Sequence, residues 1–218
     1  MNAGQICLAP DYLMAPSERV APFVDAAKAA VGKMYPTMKD NGDYTAIINQ
    51  RHYDRVRGLI ADAKAKGAEV IEINPANEDF AQQEHRKIPP TLVLGATDEM
   101  GVMQEEIFAP VLPIKTYRTL DESIGYINAH PRPLALYYFG DDNAESEALL
   151  NRTHSGGVTI NDVIFHFSMD DLPFGGVGAS GIGAYHGKRG FIEFSHEKAV
   201  YRQTASEMIA MLRPPYGE

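Results

Sequence analysis

The sequence has a single cysteine, Cys7. No disulfide can form within the chain, and a lone thiol fits a reducing compartment. Cations are also scarce: 20 Lys and Arg stand against 29 Asp and Glu, a formal net charge of −9. That balance disfavours nucleic acid and anionic membranes as partners, since both are bound through basic patches. No apolar run approaches the roughly 20 residues that a membrane-spanning helix needs. No basic segment followed by an apolar stretch opens the chain, as it would in a secretory leader. His154, His166, His186 and His196 do not fall at metal-ligand spacing, and there is no HExxH and no second cysteine, so no metal is expected. These absences leave a soluble cytoplasmic protein as the expectation. Hydrophobic residues make up 44% and charged residues 22%, enough apolar content for one large core.

What is present alternates between two periods. Residues 17–33 and 50–66 carry apolar side chains at helical spacing, the second through Tyr53, Val56, Ile60 and Ala63. Ser17 is placed to cap the first helix, and Gly67 suits the left-handed position after the second. Strands are predicted over 69–73, 91–94 and 111–117, then a helix over 121–129 stopped by Pro131 and Pro133. Residues 134–139 form a nearly continuous apolar run, the pattern of a strand buried on both faces. A helix over 144–152, a strand over 157–161, a glycine-rich loop over 175–190 and a strand over 198–203 complete the pattern, with Met208 and Met211 read as packing residues in the tail. The alternation predicts an α/β fold around a mostly parallel sheet flanked by helices in three layers.

Three segments carry candidate chemistry. In Asn2-Ala3-Gly4-Gln5-Ile6-Cys7, a thiol stands beside a glycine that lets backbone approach a substrate closely. A thiolate is a strong nucleophile, and a neighbouring backbone N–H can hold an oxyanion. Taken alone, such a cysteine is more often a buried packing residue. In Glu105-Glu106-Ile107-Phe108-Ala109-Pro110, a carboxylate can accept hydrogen bonds from a ribose diol while an aromatic packs on a flat ring. Taken alone, it is more often a solvated acidic pair before a strand. Residues 172–183, Leu-Pro-Phe-Gly-Gly-Val-Gly-Ala-Ser-Gly-Ile-Gly, have glycine spacing reminiscent of a dinucleotide fingerprint but no strand running in and no helix opening out. A long loop over a functional face, or a mere connection, describes them better.

In this order, the three segments together resemble the aldehyde dehydrogenase superfamily. Residues 2–7 resemble the motif around its catalytic cysteine. Residues 105–110 resemble its Glu-Glu-x-Phe-Gly-Pro motif, with Ala109 in the usual glycine's place, and 173–183 its Pro-Phe-Gly-Gly…Ser-Gly-x-Gly motif. Spacings of roughly a hundred and then about seventy residues agree, and the resemblance covers the whole chain. Residues 7–12, 133–137, 161–164, 185–188 and 194–196 look like the class 3 and coniferyl aldehyde dehydrogenase branch.

The resemblance implies oxidation of an aldehyde, of aromatic or medium-chain type, to the acid with NAD or NADP. Cys7 would be the nucleophile, attacking the aldehyde to give a thiohemiacetal and then a thioester, and its own N–H would serve as an oxyanion donor. Glu106 would bind the nicotinamide ribose hydroxyls and Phe108 would pack beside them. Asn161, Phe165 and His166 would lie near the substrate funnel. Residues 1–196 would be the catalytic domain, 197–203 a bridging strand that joins a second copy in a homodimer, and 204–218 a tail. The family's general base, oxyanion asparagine and most of its cofactor domain lie upstream of its cysteine motif, so this chain is expected to be a piece of a longer enzyme or a split gene product, inactive alone. A non-catalytic remnant that binds a partner subunit is the alternative, and a self-sufficient cysteine hydrolase a weaker one.

Overall fold

The structure is a computed structural model, and it describes residues 1–141, 143–203, 205 and 212–216. Met208 and Met211 lie outside the described residues. After a 3₁₀ turn at Asn2–Gly4 the chain runs through β1 (Leu13–Pro16), α1 (Ser17–Met34), α2 (Gln50–Ala65), β2 (Glu69–Glu72) and β3 (Thr91–Leu94). It continues through β4 (Val111–Tyr117), α3 (Leu120–Ala129), β5 (Ala135–Tyr138), α4 (Ala144–Arg152), β6 (Gly157–Ile160), α5 (Phe165–Ser168) and α6 (Gly187–Glu193). One sheet has the order β1-β4-β3-β2; the other is the pair β5-β6. Every pairing is parallel except β2 with β3.

The layers follow from the two-residue period of the strands. Leu92 and Ile114 point to one face of the larger sheet and pack with Val24 of α1. Val93 and Val111, one residue out of phase with them, point to the other face and pack with Val56, Leu59 and Ala63 of α2. The sheet is therefore sandwiched between α1 and α2, as a three-layer α/β fold requires. Ile124 of α3 and Leu149 of α4 bury the Leu136 face of β5.

Local chemistry sets most boundaries. Asn49 caps α2 by accepting the His52 N–H, and Gly67 takes φ +92° just past its end. Thr119 caps α3, and Asn143 with Ser146 forms a capping box on α4. Ser17 does not cap α1: it is the first helical residue, Pro16 holds the cap position, and no side chain bonds there. The run over residues 134–139 is not buried on both faces, since only Leu136 is buried in β5. β6 is its one strand neighbour, and α3 and α4 cover a single face. The glycine-rich loop ends earlier than expected, at α6, whose two glycines mask its helical period. Residues 198–203 are exposed and form no strand within the chain.

Candidate active site

Cys7 sits in a tight turn between the first 3₁₀ turn and β1, closed by the Ala9 N–H bonding the Ile6 carbonyl at 2.9 Å. Leu8 turns inward and is buried, which leaves the Cys7 thiol exposed. The Gln5 side chain sews this turn to the 46–48 segment, donating to the Ala46 carbonyl and accepting the Ile48 N–H, each at 3.0 Å. Among the described residues the Cys7 N–H donates no hydrogen bond.

The turn is seated directly on the second motif. Gly4 adopts φ +72°, and a Cβ placed there would lie 2.3 Å from the Ala109 carbonyl oxygen. Only glycine permits both the backbone angle and that approach. Four residues after Cys7, Asp11 accepts the Ile107 N–H at 2.9 Å. From α2, Arg55 donates to the Glu105 carboxylate at 3.2 Å, to the Glu106 carbonyl at 3.3 Å and to the Ile107 carbonyl. The loop backbone is thus gripped from two sides. Ile107 is driven into the core, and Phe108, at φ +51°, is turned out to 43% exposure. The exposed Glu106 carboxylate has no hydrogen-bond or ion-pair partner among the described residues, whereas Glu105 pairs with Arg55. A free carboxylate beside an exposed aromatic ring fits a ribose diol and a flat heterocycle.

Burial pushes the Asp11 carboxyl up to about 6, and the nearby Glu106 charge adds to that rise; the Ile107 N–H and the Arg55 guanidinium oppose it.

The other face of β5 looks toward the cysteine turn. The Tyr137 hydroxyl donates to the Leu8 carbonyl at 2.8 Å, next to Cys7. Burial raises the Tyr137 phenol above its ordinary range, and the proximity of Cys7 adds to this. His166 is buried under Gly157, with Nδ1 2.7 Å from the Thr159 hydroxyl and Nε2 without a partner. Burial lowers its pKa and favours the neutral imidazole. Asn161 is committed elsewhere: its side-chain amide makes two bonds, at 2.8 and 2.9 Å, to the Gly140 backbone across the ends of β5 and β6. Phe165 joins Gly4, Ile6 and Pro110 in lining an apolar cleft of about 610 Å³ beside the turn. Cys7, Glu106 and Phe108 therefore come together on two touching loops, with Phe165 near by. The His166 ring lies 6.2 Å from that of Tyr137, centroid to centroid, and Asn161 is a backbone strut.

Asp11, Arg55 and Tyr137 organise the site yet were not singled out from the sequence. Asp11 offered one signal, a carboxylate set in an otherwise uncharged stretch (Leu8-Ala9-Pro10-Asp11-Tyr12-Leu13); Arg55 resembles any solvated helix residue. Among the described residues there is no cluster that could hold a metal ion, and no helix is long and apolar enough to cross a membrane.

Comparison with known proteins gives the same ancestry throughout. The sequence profile of the aldehyde dehydrogenase family matches residues 1–200. A protein of Caulobacter vibrioides named "Probable coniferyl aldehyde dehydrogenase" is 65% identical over all of this chain and 45% of its own length. A solved structure described as the substrate-bound state of Staphylococcus aureus AldH superposes with TM-score 0.81 at 38% identity, over 94% of this chain and 43% of that one. An NAD-dependent aldehyde dehydrogenase from Sinorhizobium meliloti superposes with TM-score 0.78 at 25% identity, over 94% and 41%. The chain spans about half the length of the curated relatives it matches.

Proposed function

The chain belongs to the aldehyde dehydrogenase family, and on that premise we propose that it carries the nucleophile of an enzyme oxidising an aromatic aldehyde of the coniferyl type to its acid, with NAD or NADP as acceptor. The contact of the Gly4 turn with the Ala109 backbone is the observation that carries this reading, because it joins the thiol and the free Glu106 carboxylate into one surface. The name of the Caulobacter relative supports the coniferyl assignment, and that of the Sinorhizobium structure supports a nicotinamide acceptor.

The chemistry balances on Cys7. Its thiolate adds to the aldehyde carbon, forming a C–S bond and pushing the carbonyl electrons onto oxygen. The unengaged Cys7 N–H is available to that oxyanion, as preorganised donors are in acyl-transfer sites. Collapse of the adduct re-forms the carbonyl, expels hydride and leaves a thioester, which water hydrolyses to the acid and the free thiol. A bound nicotinamide supplies the two-electron hydride acceptor. Glu106 would hold its ribose hydroxyls and Phe108 would pack beside them, both from the loop seated on the cysteine turn. Residues 1–196 act as the catalytic domain and 197–203 reach a second copy in a homodimer; the site works in the cytoplasm.

The test is a fusion in which the upstream remainder of the Caulobacter relative precedes these residues, assayed for reduced nicotinamide formed with coniferyl aldehyde. Turnover abolished by Cys7→Ala is expected. A soluble, folded fusion without Cys7-dependent turnover refutes the reading, and turnover by the 218-residue chain alone refutes the expectation that it is inactive without the upstream part.

A further inference from the structure

The loop that presents Glu106 and Phe108 has an unusual support. The Ile107 N–H is held by the half-buried carboxylate of Asp11, four residues past Cys7. Burying a carboxylate for a single backbone N–H is costly, and a neutral acceptor of the same shape would serve a merely structural bond at lower cost. The charge therefore calls for a reason beyond holding the fold together.

We propose that Asp11 is a positioning residue for the cofactor: by holding the Ile107 N–H it fixes the loop that offers Glu106 to the ribose. The proposal rests on the functional reading above and extends it to a residue outside the three motifs. Two charged groups face Asp11 from other elements, Arg55 from α2 and Glu106 from the loop; Tyr12 is its neighbour on its own segment. Arg55 attracts the carboxylate and also grips the loop carbonyls, so anion, guanidinium and loop backbone form one clamp. Glu106 is repelled by Asp11, which favours its carboxylate pointing away into solvent, where a ribose would meet it. Protonation of Asp11 weakens the bond to Ile107 and removes both charge effects. The carboxyl titrates at about 6, so the clamp is fully formed above neutrality and loosens as the pH falls through that value.

The test compares Asp11→Asn, which keeps the shape and one acceptor but not the charge, with Asp11→Ala. In the 218-residue chain the Ile107 amide proton is followed by NMR from pH 5 to 8. An inflection near pH 6 that disappears in both variants is expected. In the fusion, Asp11→Asn raises the KM for NAD about tenfold with kcat within about twofold, a loss equivalent to one charge-assisted bond. The Asp11→Asn KM no longer varies between pH 5.5 and 7.5. A flat Ile107 profile in the unsubstituted chain overturns the proposal, as does an unchanged KM in Asp11→Asn. Absence of turnover in the unsubstituted fusion counts against the functional reading instead, and the Ile107 profile then decides on Asp11.

Discussion

Replacing Gly4 by alanine tests the contact on which the site is built. At φ +72° an alanine costs about 1–2 kcal/mol over glycine from its own backbone strain. Its Cβ would also stand 2.3 Å from the Ala109 carbonyl oxygen and 2.6 Å from the carbonyl carbon, both backbone atoms that cannot rotate aside. Ordinary contact requires the two loops to part by about 1 Å, and overpacking of that kind costs about 1–3 kcal/mol. The expected loss is therefore about 2–5 kcal/mol. Gly125, inside α3 with nothing within 4 Å of its would-be Cβ, is the internal control. There alanine should stabilise by about 0.5–1 kcal/mol, the difference in helix propensity. The chain has no tryptophan, so denaturant midpoints are best read by far-ultraviolet circular dichroism. In the fusion, if Cys7 acts as proposed, its displacement by about 1 Å should also lower kcat by about a hundredfold. A Gly4→Ala midpoint within about 0.5 kcal/mol of the parent, with Gly125→Ala behaving as expected, would refute the close approach.

Three further outcomes are expected. Iodoacetamide should label Cys7 in the native chain, read by peptide mass mapping, because the thiol is exposed; labelling only after unfolding would show it to be inaccessible. Asp11→Asn should be more stable than the parent at pH 8, by at most about 3 kcal/mol at 1.36 kcal/mol per pH unit, and the two should converge near pH 4. The sign follows from burial, which raises the folded carboxyl from 3.8 to about 6: stability from the bound proton is full below 3.8 and lost as the pH rises through 6. An Asp11→Asn chain less stable than its parent at pH 8 contradicts this. Truncation after Ser195 should reduce self-association measured by light scattering at micromolar concentration, and identical monomers from both chains would exclude an assembly role for residues 198–203.

The parts legible in the sequence are those where one local rule decides. Gly67 ends α2, and residues 91–94, 111–117 and 144–152 become β3, β4 and α4 at the predicted boundaries, because apolar period and flanking breakers agree there. β1 escaped because four residues ending in proline show no period, and its strand character comes from pairing with β4, about a hundred residues away. The division into two sheets is likewise a long-range outcome. Within the site, Cys7, Glu106 and Phe108 were marked only by the ordered resemblance of their segments to the family's motifs, since each segment alone reads more often as packing or solvated surface. Asp11, Arg55 and Tyr137 act through backbone groups of other segments; the uncharged stretch around Asp11 is the one local mark, and nothing local identifies a partner that is a distant carbonyl or N–H.

The split between the sheets bears on how the molecule opens. The β5-β6 pair has its own apolar cluster with α3 and α4, separate from the clusters that hold the larger sheet. Units with separate cores can unfold separately, at a free energy below that of the whole. Here the Tyr137 hydroxyl on the Leu8 carbonyl is one of the ties across the seam. Transient detachment of β5-β6 would carry away Tyr137, His166 and the glycine-rich loop, while the cysteine turn stayed anchored on Ala109. Amide exchange should accordingly report two protection classes, with residues 135–138 and 157–160 exchanging ahead of 91–94 and 111–117.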